Sequence, residues 1–214
     1  MTLTMPPEWE KHQRTFIAFP HTGYTLGNTQ AEQNAARQAW ASVANAASEY
    51  EKVTAIVHPD DERLAAKFLS SEIEVMIEKI DDAWIRDSGP TFVKDQAGKL
   101  AAIDWIFNGW GAQDWAEYSH DEMIASKIAA RYGVELIKSD LVNEGGGIHI
   151  NGKGQVLLTE TVQLDPGRNP DWSKEQVEQE LSRTLGVTDF VWLKSGLTRD
   201  YDEFGTRGHV DIVA

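Results

Sequence analysis

Hydrophobic and polar residues alternate along the chain in short segments that predict a mixed α+β protein. Apolar runs bounded by turn residues indicate strands, and amphipathic segments with capping residues indicate the helices between them. The predicted strands cover residues 15–19, 53–58, 73–78, 91–94, 100–107, 134–138, 147–150, 155–160 and 189–194. The predicted helices cover residues 29–47, 60–70, 121–132 and 173–186.

Two of these helices carry a complete start signal. Thr29 is followed three residues later by Glu32, and Ser173 is followed by Gln176 at the same spacing. In a capping box of this kind each side chain bonds to the backbone N–H of the other residue, which fixes the first turn. We therefore expect both helices to begin at these residues.

The order strand, hairpin, strand, helix, strand occurs twice, over residues 91–138 and 147–194. The second hairpin carries "NGKG", a sequence typical of a tight turn between antiparallel strands. The order predicts a structural repeat. The first 58 residues are interpreted as a looser copy, and the tail "GHVDIVA" as the opening strand of another. Because no linker or low-complexity tract interrupts the chain, we predict a single domain over residues 1–214.

Polar residues recur at the period of this repeat. Asp87 lies four residues before the first strand of its copy, and Glu144 lies three residues before the first strand of the next. His209 and Asp211 lie in the predicted opening strand of the tail. The intervals from Asp87 to Glu144 and from Glu144 to His209 are 57 and 65 residues. If the copies surround a common axis, these residues converge, which predicts one pocket.

The predicted pocket contains three carboxylates and one imidazole. Crowded carboxylates repel one another and take up protons unless a cation shares the site. A planar guanidinium fits because its five N–H donors pair with carboxylates in a bidentate manner. Neighbouring strand residues face opposite sides, so Arg86 would point away from Asp87 in an extended segment, whereas His209 and Asp211 would share a face. The pocket therefore predicts a small cationic guanidinium ligand.

Each residue taken alone has a simpler interpretation. Asp87 before Ser-Gly-Pro also fits an Asx turn, and Glu144 before three glycines also fits a bend. Trp84, like Trp105 and Trp192, also fits a core position. The functional interpretation depends on the joint spacing of these residues.

Composition removes several classes of function. The net charge is -14 and the sequence pI is about 4.8, which argues against nucleic-acid binding. No apolar run approaches the roughly 20 residues of a membrane helix, and no basic and apolar leader begins the chain, so we expect a cytoplasmic protein without membrane contact. Cysteine is absent, which excludes disulfides, thiolate metal sites and a cysteine nucleophile within these 214 residues.

Four motifs occur in the order "DDAWIRDSGPTFV", "NGWG", "NEGGGIHINGKG" and "GHVD", after the opening "MPPEWEKHQRTFIAFP". Together they resemble the agmatine deiminase and bacterial peptidylarginine deiminase family of the guanidine-modifying, or pentein, superfamily. The resemblance extends along essentially the whole chain. It implies an α/β propeller of ββαβ repeats about a pseudo-fivefold axis, of which this chain would form about three blades, and it suggests a homodimer.

The resemblance also implies a role for each site residue. Asp87 and Asp211 would clamp the guanidinium nitrogens, Glu144 would hold the guanidinium and the histidine, and His209 would be the general acid and base. Trp84 would line the substrate channel. A cysteine thiolate would attack the guanidinium carbon, and the adduct would be hydrolysed to a ureido product without metal or organic cofactor.

Agmatine, giving N-carbamoylputrescine and ammonia in putrescine synthesis, is the expected substrate. Peptidylarginine and free arginine remain alternatives, because the motifs describe the guanidinium end only. In the family the cysteine follows the His-x-Asp motif. We therefore expect this chain to be the N-terminal portion of a longer enzyme and to be inactive alone. Two further alternatives are a guanidinium-binding module without turnover and a metal hydrolase with His209, Asp211 and Glu144 as ligands.

Overall fold

Three β-sheets organise residues 2–214, which are the residues that this computed structural model describes. The strands are β1 Leu3–Thr4, β2 Thr15–Ala18, β3 Val53–Val57, β4 Glu74–Ile77, β5 Thr91–Asp95, β6 Leu100–Ile106, β7 Glu135–Val142, β8 His149–Ile150, β9 Gln155–Thr159 and β10 Asp189–Leu193. The α-helices and short helical turns are α1 Gln30–Ser48, α2 Glu62–Ala65, α3 Ile85–Ser88, α4 Gly109–Ala112, α5 Ile124–Tyr132, α6 Glu160–Gln163 and α7 Lys174–Leu185. The longest helices and most strands agree with the sequence prediction.

The chain divides into two units. The first, called here the α1 unit, consists of Trp9–Ile85 and Glu117–Asp121. It contains a parallel sheet of order β2-β3-β4, whose central strand β3 is buried along its whole length. The predicted capping box of α1 is confirmed, because the Thr29 side chain accepts a hydrogen bond from the Glu32 N–H and Glu32 accepts one from the Thr29 N–H.

The predicted helix over residues 60–70 is wrong in length. A 3-10 turn at Pro59–Asp61 leads into α2, which ends at Ala65. The Asn45 side chain of α1 donates to the Phe68 carbonyl at 2.9 Å and accepts from the Ser70 N–H at 2.7 Å. These backbone groups are therefore bonded to α1 instead of continuing the helix.

The second unit, called here the repeat unit, consists of the residues up to Glu8, Arg86–Ala116 and Glu122–Ala214. It contains a sheet of order β1-β5-β6-β7 and another of order β10-β9-β8. β5 pairs antiparallel with β6, which pairs parallel with β7; β8 pairs antiparallel with β9, which pairs parallel with β10. The two predicted copies thus have the same strand order and pairing, while their arrangement about a pseudo-fivefold axis remains a prediction.

The core of the repeat unit joins both copies through helix α7. The predicted apolar face of this helix, Val177, Leu181 and Leu185, is buried in one cluster with residues of both sheets, including Ile103 and Leu158. The helix has its predicted capping box at Ser173 and ends at a left-handed Gly186. The core therefore ties the second copy to the first.

The predicted strand in the tail is wrong. Val210–Ile212 is a 3-10 helix, and His209 precedes it as the N-cap residue. The Asp200 carboxylate accepts the backbone N–H groups of Gly208 at 2.6 Å and of His209 at 3.0 Å, so these donors are not available to a strand neighbour. His209 and Asp211 therefore do not lie on one strand face. Across residues 2–214, none of the helices has the length and hydropathy that crossing a membrane requires.

Candidate active site

Three side chains from two distant segments of the repeat unit surround Gly146. A methyl group placed on Gly146 would lie 2.9 Å from Asp87 Oδ1 and 2.9 Å from Asp211 Oδ2, and it would also contact His209 Nδ1. Gly146 belongs to the 3-10 turn Gly145–Gly147 that follows Glu144. Because Gly146 has no side chain, the two carboxylates and the imidazole can approach one another at this point.

Glu144 is completely buried beside an arginine. The Arg168 Nε–H group donates to both carboxylate oxygens of Glu144, at 2.9 and 3.1 Å, and both side chains are 0% exposed. The same guanidinium donates to Asp165 Oδ2 at 2.7 Å and to the Thr206 carbonyl at 2.8 Å. Burial alone would raise the pKa of Glu144, but Arg168 and His209 outweigh it and hold the pKa below its usual range. Glu144 is therefore ionised.

His209 lies between two carboxylates. Its Nε2 is 3.3 Å from Glu144 Oε2, and its Nδ1 is 3.8 Å from Asp87 Oδ1. Burial of the ring lowers the pKa of His209, but the charges of Asp87 and Glu144 outweigh this effect and raise the pKa above its usual value. The imidazole therefore holds its proton more strongly than a free histidine and can donate it at neutral pH.

Both oxygens of Asp87 have a fixed donor. Oδ2 accepts a hydrogen bond from Trp110 Nε1 at 2.9 Å, and Oδ1 accepts one from the Gly146 N–H at 3.0 Å. Asp87 belongs to the short helix α3, which turns the chain directly before β5. The carboxylate plane is therefore held from two sides.

Arg86 would point away from the carboxylates only in an extended segment, and this condition is not met, because its segment is helical. Arg86 Nε lies 4.0 Å from Asp211 Oδ2, and its Nη2 lies 2.6 Å from Glu8 Oε1. Burial, together with the nearby Asp87 carboxylate, raises the pKa of Asp211, and the charge of His209 offsets this only in part. The Asp211 carboxyl therefore takes up a proton more readily than an ordinary aspartate.

The sequence profile of the Porphyromonas-type peptidyl-arginine deiminase family matches residues 4–214. The chain belongs to this family. The family resemblance of the four motifs is thereby confirmed.

Named relatives of this deiminase family match nearly the whole chain. A Streptomyces coelicolor protein named "Putative agmatine deiminase" is 52% identical over 215 residues, which are 100% of this chain and 63% of that protein. The solved agmatine deiminase of Enterococcus faecalis has a TM-score of 0.89 at 32% identity, over 98% of this chain and 57% of that chain. A solved C. jejuni agmatine deiminase with substrate bound has a TM-score of 0.84 at 27% identity, over 98% of this chain and 60% of that chain. The chain therefore spans about three fifths of the length of these relatives.

Trp84, the remaining predicted site residue, belongs to the α1 unit. Its side chain is 42% exposed, and its ring meets Trp40 of the same unit edge to face, with centroids 5.6 Å apart. The exposure does not fit the simpler interpretation of Trp84 as a fully buried core residue. Its position along a substrate channel remains a prediction.

Sequence reasoning missed the groups that hold the carboxylates. Trp110 lies in the "NGWG" motif, to which no chemistry was assigned, and the spacing of the polar residues gave no signal for Asp165 or Arg168. Arg168 lies in the loop between α6 and α7, outside the strand positions at which the repeat places its polar residues. An arginine could have been expected only from the need of a buried carboxylate for a cation.

The geometry weakens the metal-hydrolase alternative. The Arg168 guanidinium already contacts both oxygens of Glu144, and its charge would repel a metal ion at that carboxylate. Within residues 2–214, donor atoms close enough to share an ion occur at His21, His58 and Asp60 of the α1 unit. The rings of His21 and His58 are stacked, with centroids 3.6 Å apart and an interplanar angle of 6°. Their in-plane nitrogen lone pairs therefore lie in nearly parallel planes instead of converging on one ion.

Proposed function

We propose that this chain supplies the guanidinium-binding and proton-transfer groups of an agmatine deiminase. The observation that carries the proposal is the convergence of Asp87, Asp211 and His209 on one point beside Gly146. Two carboxylates directed at one space repel each other, and a cation between them would remove that cost. A flat guanidinium offers the N–H donors that two carboxylates can accept.

His209 would perform the proton transfers, and Glu144 would assist it. A cysteine thiolate attacks the guanidinium carbon, the C–N bond to one terminal nitrogen breaks, and protonated His209 gives its proton to the departing ammonia. The neutral imidazole then takes a proton from water, whose oxygen attacks the carbon and displaces the thiolate to leave the ureido product. Glu144, ionised and 3.3 Å from the ring, would orient His209 and stabilise its charged form.

The nucleophile of this mechanism must come from outside these residues, because the 214 residues contain 0 cysteines. The relatives are longer than this chain, which is consistent with a cysteine in their remaining part. A guanidinium-binding module without turnover is the second candidate, and the absence of cysteine would favour it if the natural chain had 214 residues. Ammonia release from agmatine by the product of the complete gene would decide for the deiminase, and its absence would decide for the module.

Agmatine is the proposed substrate because the relatives of this chain are named for agmatine. Peptidylarginine, which the family name suggests, and free arginine are the competing substrates. Trp84, by its place in the motif, would line the substrate channel. A homodimer and a cytoplasmic location remain predictions from the family resemblance and from the sequence.

Binding by the 214-residue chain tests the proposal without requiring turnover. Isothermal titration should detect agmatine and give no comparable signal with putrescine, which lacks the guanidinium. Asp87→Asn should weaken agmatine binding by about 10- to 100-fold, because it removes a charged hydrogen-bonding partner. Asp189→Asn, at an exposed residue of β10, is the control and should bind as the unmodified chain does. Equal affinities of the Asp87 and Asp189 variants would refute the clamp.

A further inference from the structure

The segment Gly109–Ala112, labelled α4 above, is not a regular helix but a left-handed turn. Its four consecutive residues have φ angles of +69°, +58°, +90° and +54°. Left-handed backbone is strained for residues with a side chain, and Trp110 and Ala112 both adopt it here. The Asn108 side-chain oxygen accepts a hydrogen bond from the Gly111 N–H at 3.0 Å, and the Asn108 backbone carbonyl accepts one from the Ala112 N–H at 3.0 Å. Strain that neighbouring bonds hold in place is a frequent feature of functional sites.

The turn fixes the orientation of one indole ring. Trp110 is 3% exposed, stacks on Trp115 with centroids 5.2 Å apart, and meets Phe107 edge to face at 5.2 Å. Because the ring is packed on its face and at its edge, the direction of its N–H group is fixed. That group donates to Asp87 Oδ2 at 2.9 Å.

The same turn also contacts the residues that hold Glu144. A methyl group on Gly111 would lie 2.9 Å from Asp165 Oδ2 and 3.3 Å from Arg168 Nη1. Asn108 Nδ2 donates to the Gly167 carbonyl at 3.0 Å. The left-handed turn is therefore built against the Asp165–Arg168 pair on one side and presents Trp110 to Asp87 on the other.

We propose that Trp110 is a positioning residue that fixes the Asp87 carboxylate for guanidinium binding, an inference that rests on the proposed function. With Oδ2 bonded to the indole and Oδ1 bonded to the Gly146 N–H, the carboxylate plane cannot rotate. A carboxylate already oriented loses less freedom when the ligand binds, so affinity rises without a new contact to the ligand. The strained turn is retained because a relaxed backbone would direct the indole elsewhere.

Trp110→Phe tests the proposal because it keeps an aromatic ring and removes the N–H group. Trp105→Phe is the matched control: Trp105 is also buried in the repeat unit, and its Nε1 donates to Thr91 Oγ1 at 2.8 Å. In isothermal titrations with agmatine, Trp110→Phe should raise the Kd about tenfold, and Trp105→Phe should leave it unchanged. Equal Kd values for the two variants would overturn the proposal.

A double-mutant cycle tests whether Trp110 acts through Asp87. In the Asp87→Asn background the further change Trp110→Phe should leave the residual agmatine affinity unchanged, because the carboxylate is gone. An undiminished effect of the tryptophan in that background would refute the assigned route. The same cycle in urea unfolding of the ligand-free chain should be non-additive, and additivity there would also refute it. If agmatine does not bind the unmodified chain, the proposed function fails, and the unfolding cycle still decides whether Trp110 is coupled to Asp87.

Discussion

Replacing Arg168 by methionine tests the buried charge network of this chain most directly. The guanidinium donates to Glu144 and to Asp165, and the exposure of these side chains is 0% for Arg168, 0% for Glu144 and 3% for Asp165. Methionine has a comparable length and leaves the packing of the stem in place. Among the described residues, Glu144 then keeps only His209, and Asp165 keeps only Arg207 Nη1 at 3.7 Å. Breaking a buried pair in this way costs about 3–5 kcal/mol of the free energy of unfolding.

The free energy of unfolding that Arg168→Met removes should increase with pH. In the unmodified chain the folded-state pKa of Glu144 is lowered, so this carboxylate adds stability above its unfolded pKa of about 4.3 and loses it as the pH falls through the folded value. Without Arg168, burial acts on Glu144 with less opposition and raises its pKa. The stability difference between the two proteins should therefore be larger at pH 8 than at pH 5.

Urea denaturation followed by circular dichroism at both pH values measures this difference. The control is Arg183→Met, since Arg183 Nη2 lies 2.5 Å from Glu180 Oε1 but its side chain is 49% exposed. An exposed ion pair of this kind contributes about 0–1 kcal/mol, because water screens its charges. The reasoning is refuted if the Arg168 variant loses no more stability than the Arg183 variant, or if its deficit is the same at both pH values.

Two further predictions concern Gly146 and the side chains that surround it. Gly146→Ala should abolish agmatine binding in isothermal titration while the circular dichroism spectrum is kept, because the added methyl group would lie against Asp87, Asp211 and His209; retained binding would contradict the proposed location. The His209 ring, followed by NMR in the ligand-free chain, should titrate above about 6.5, the usual histidine value. A raised folded-state pKa of His209 adds stability that is fully present below the unfolded pKa of about 6.5 and is lost as the pH rises through the folded pKa. A titration midpoint at or below about 6.5 would be contrary evidence.

Local signals in the sequence were sufficient for much of the fold. The capping boxes at Thr29 and Ser173 place the starts of the two longest helices, because the bonds that form them join residues three apart. The tail was mispredicted because its backbone donors are bonded by Asp200, whose position relative to Gly208 no pattern of apolar residues reveals. Prediction thus succeeded where the deciding contact is local and failed where a side chain outside the element accepts its backbone bonds.

The candidate site shows the same limit in its electrostatics. Repeat spacing brought Asp87 and Glu144 together in the prediction, and crowded carboxylates called for a guanidinium. Part of that need is met inside the chain, since Arg168 contacts both oxygens of Glu144. Glu144 is therefore paired more closely with a cation than are Asp87, 3.8 Å from His209 Nδ1, and Asp211, 4.0 Å from Arg86 Nε. Composition and spacing can state that a cation is required, but only the folded chain shows how closely each carboxylate is already paired with one.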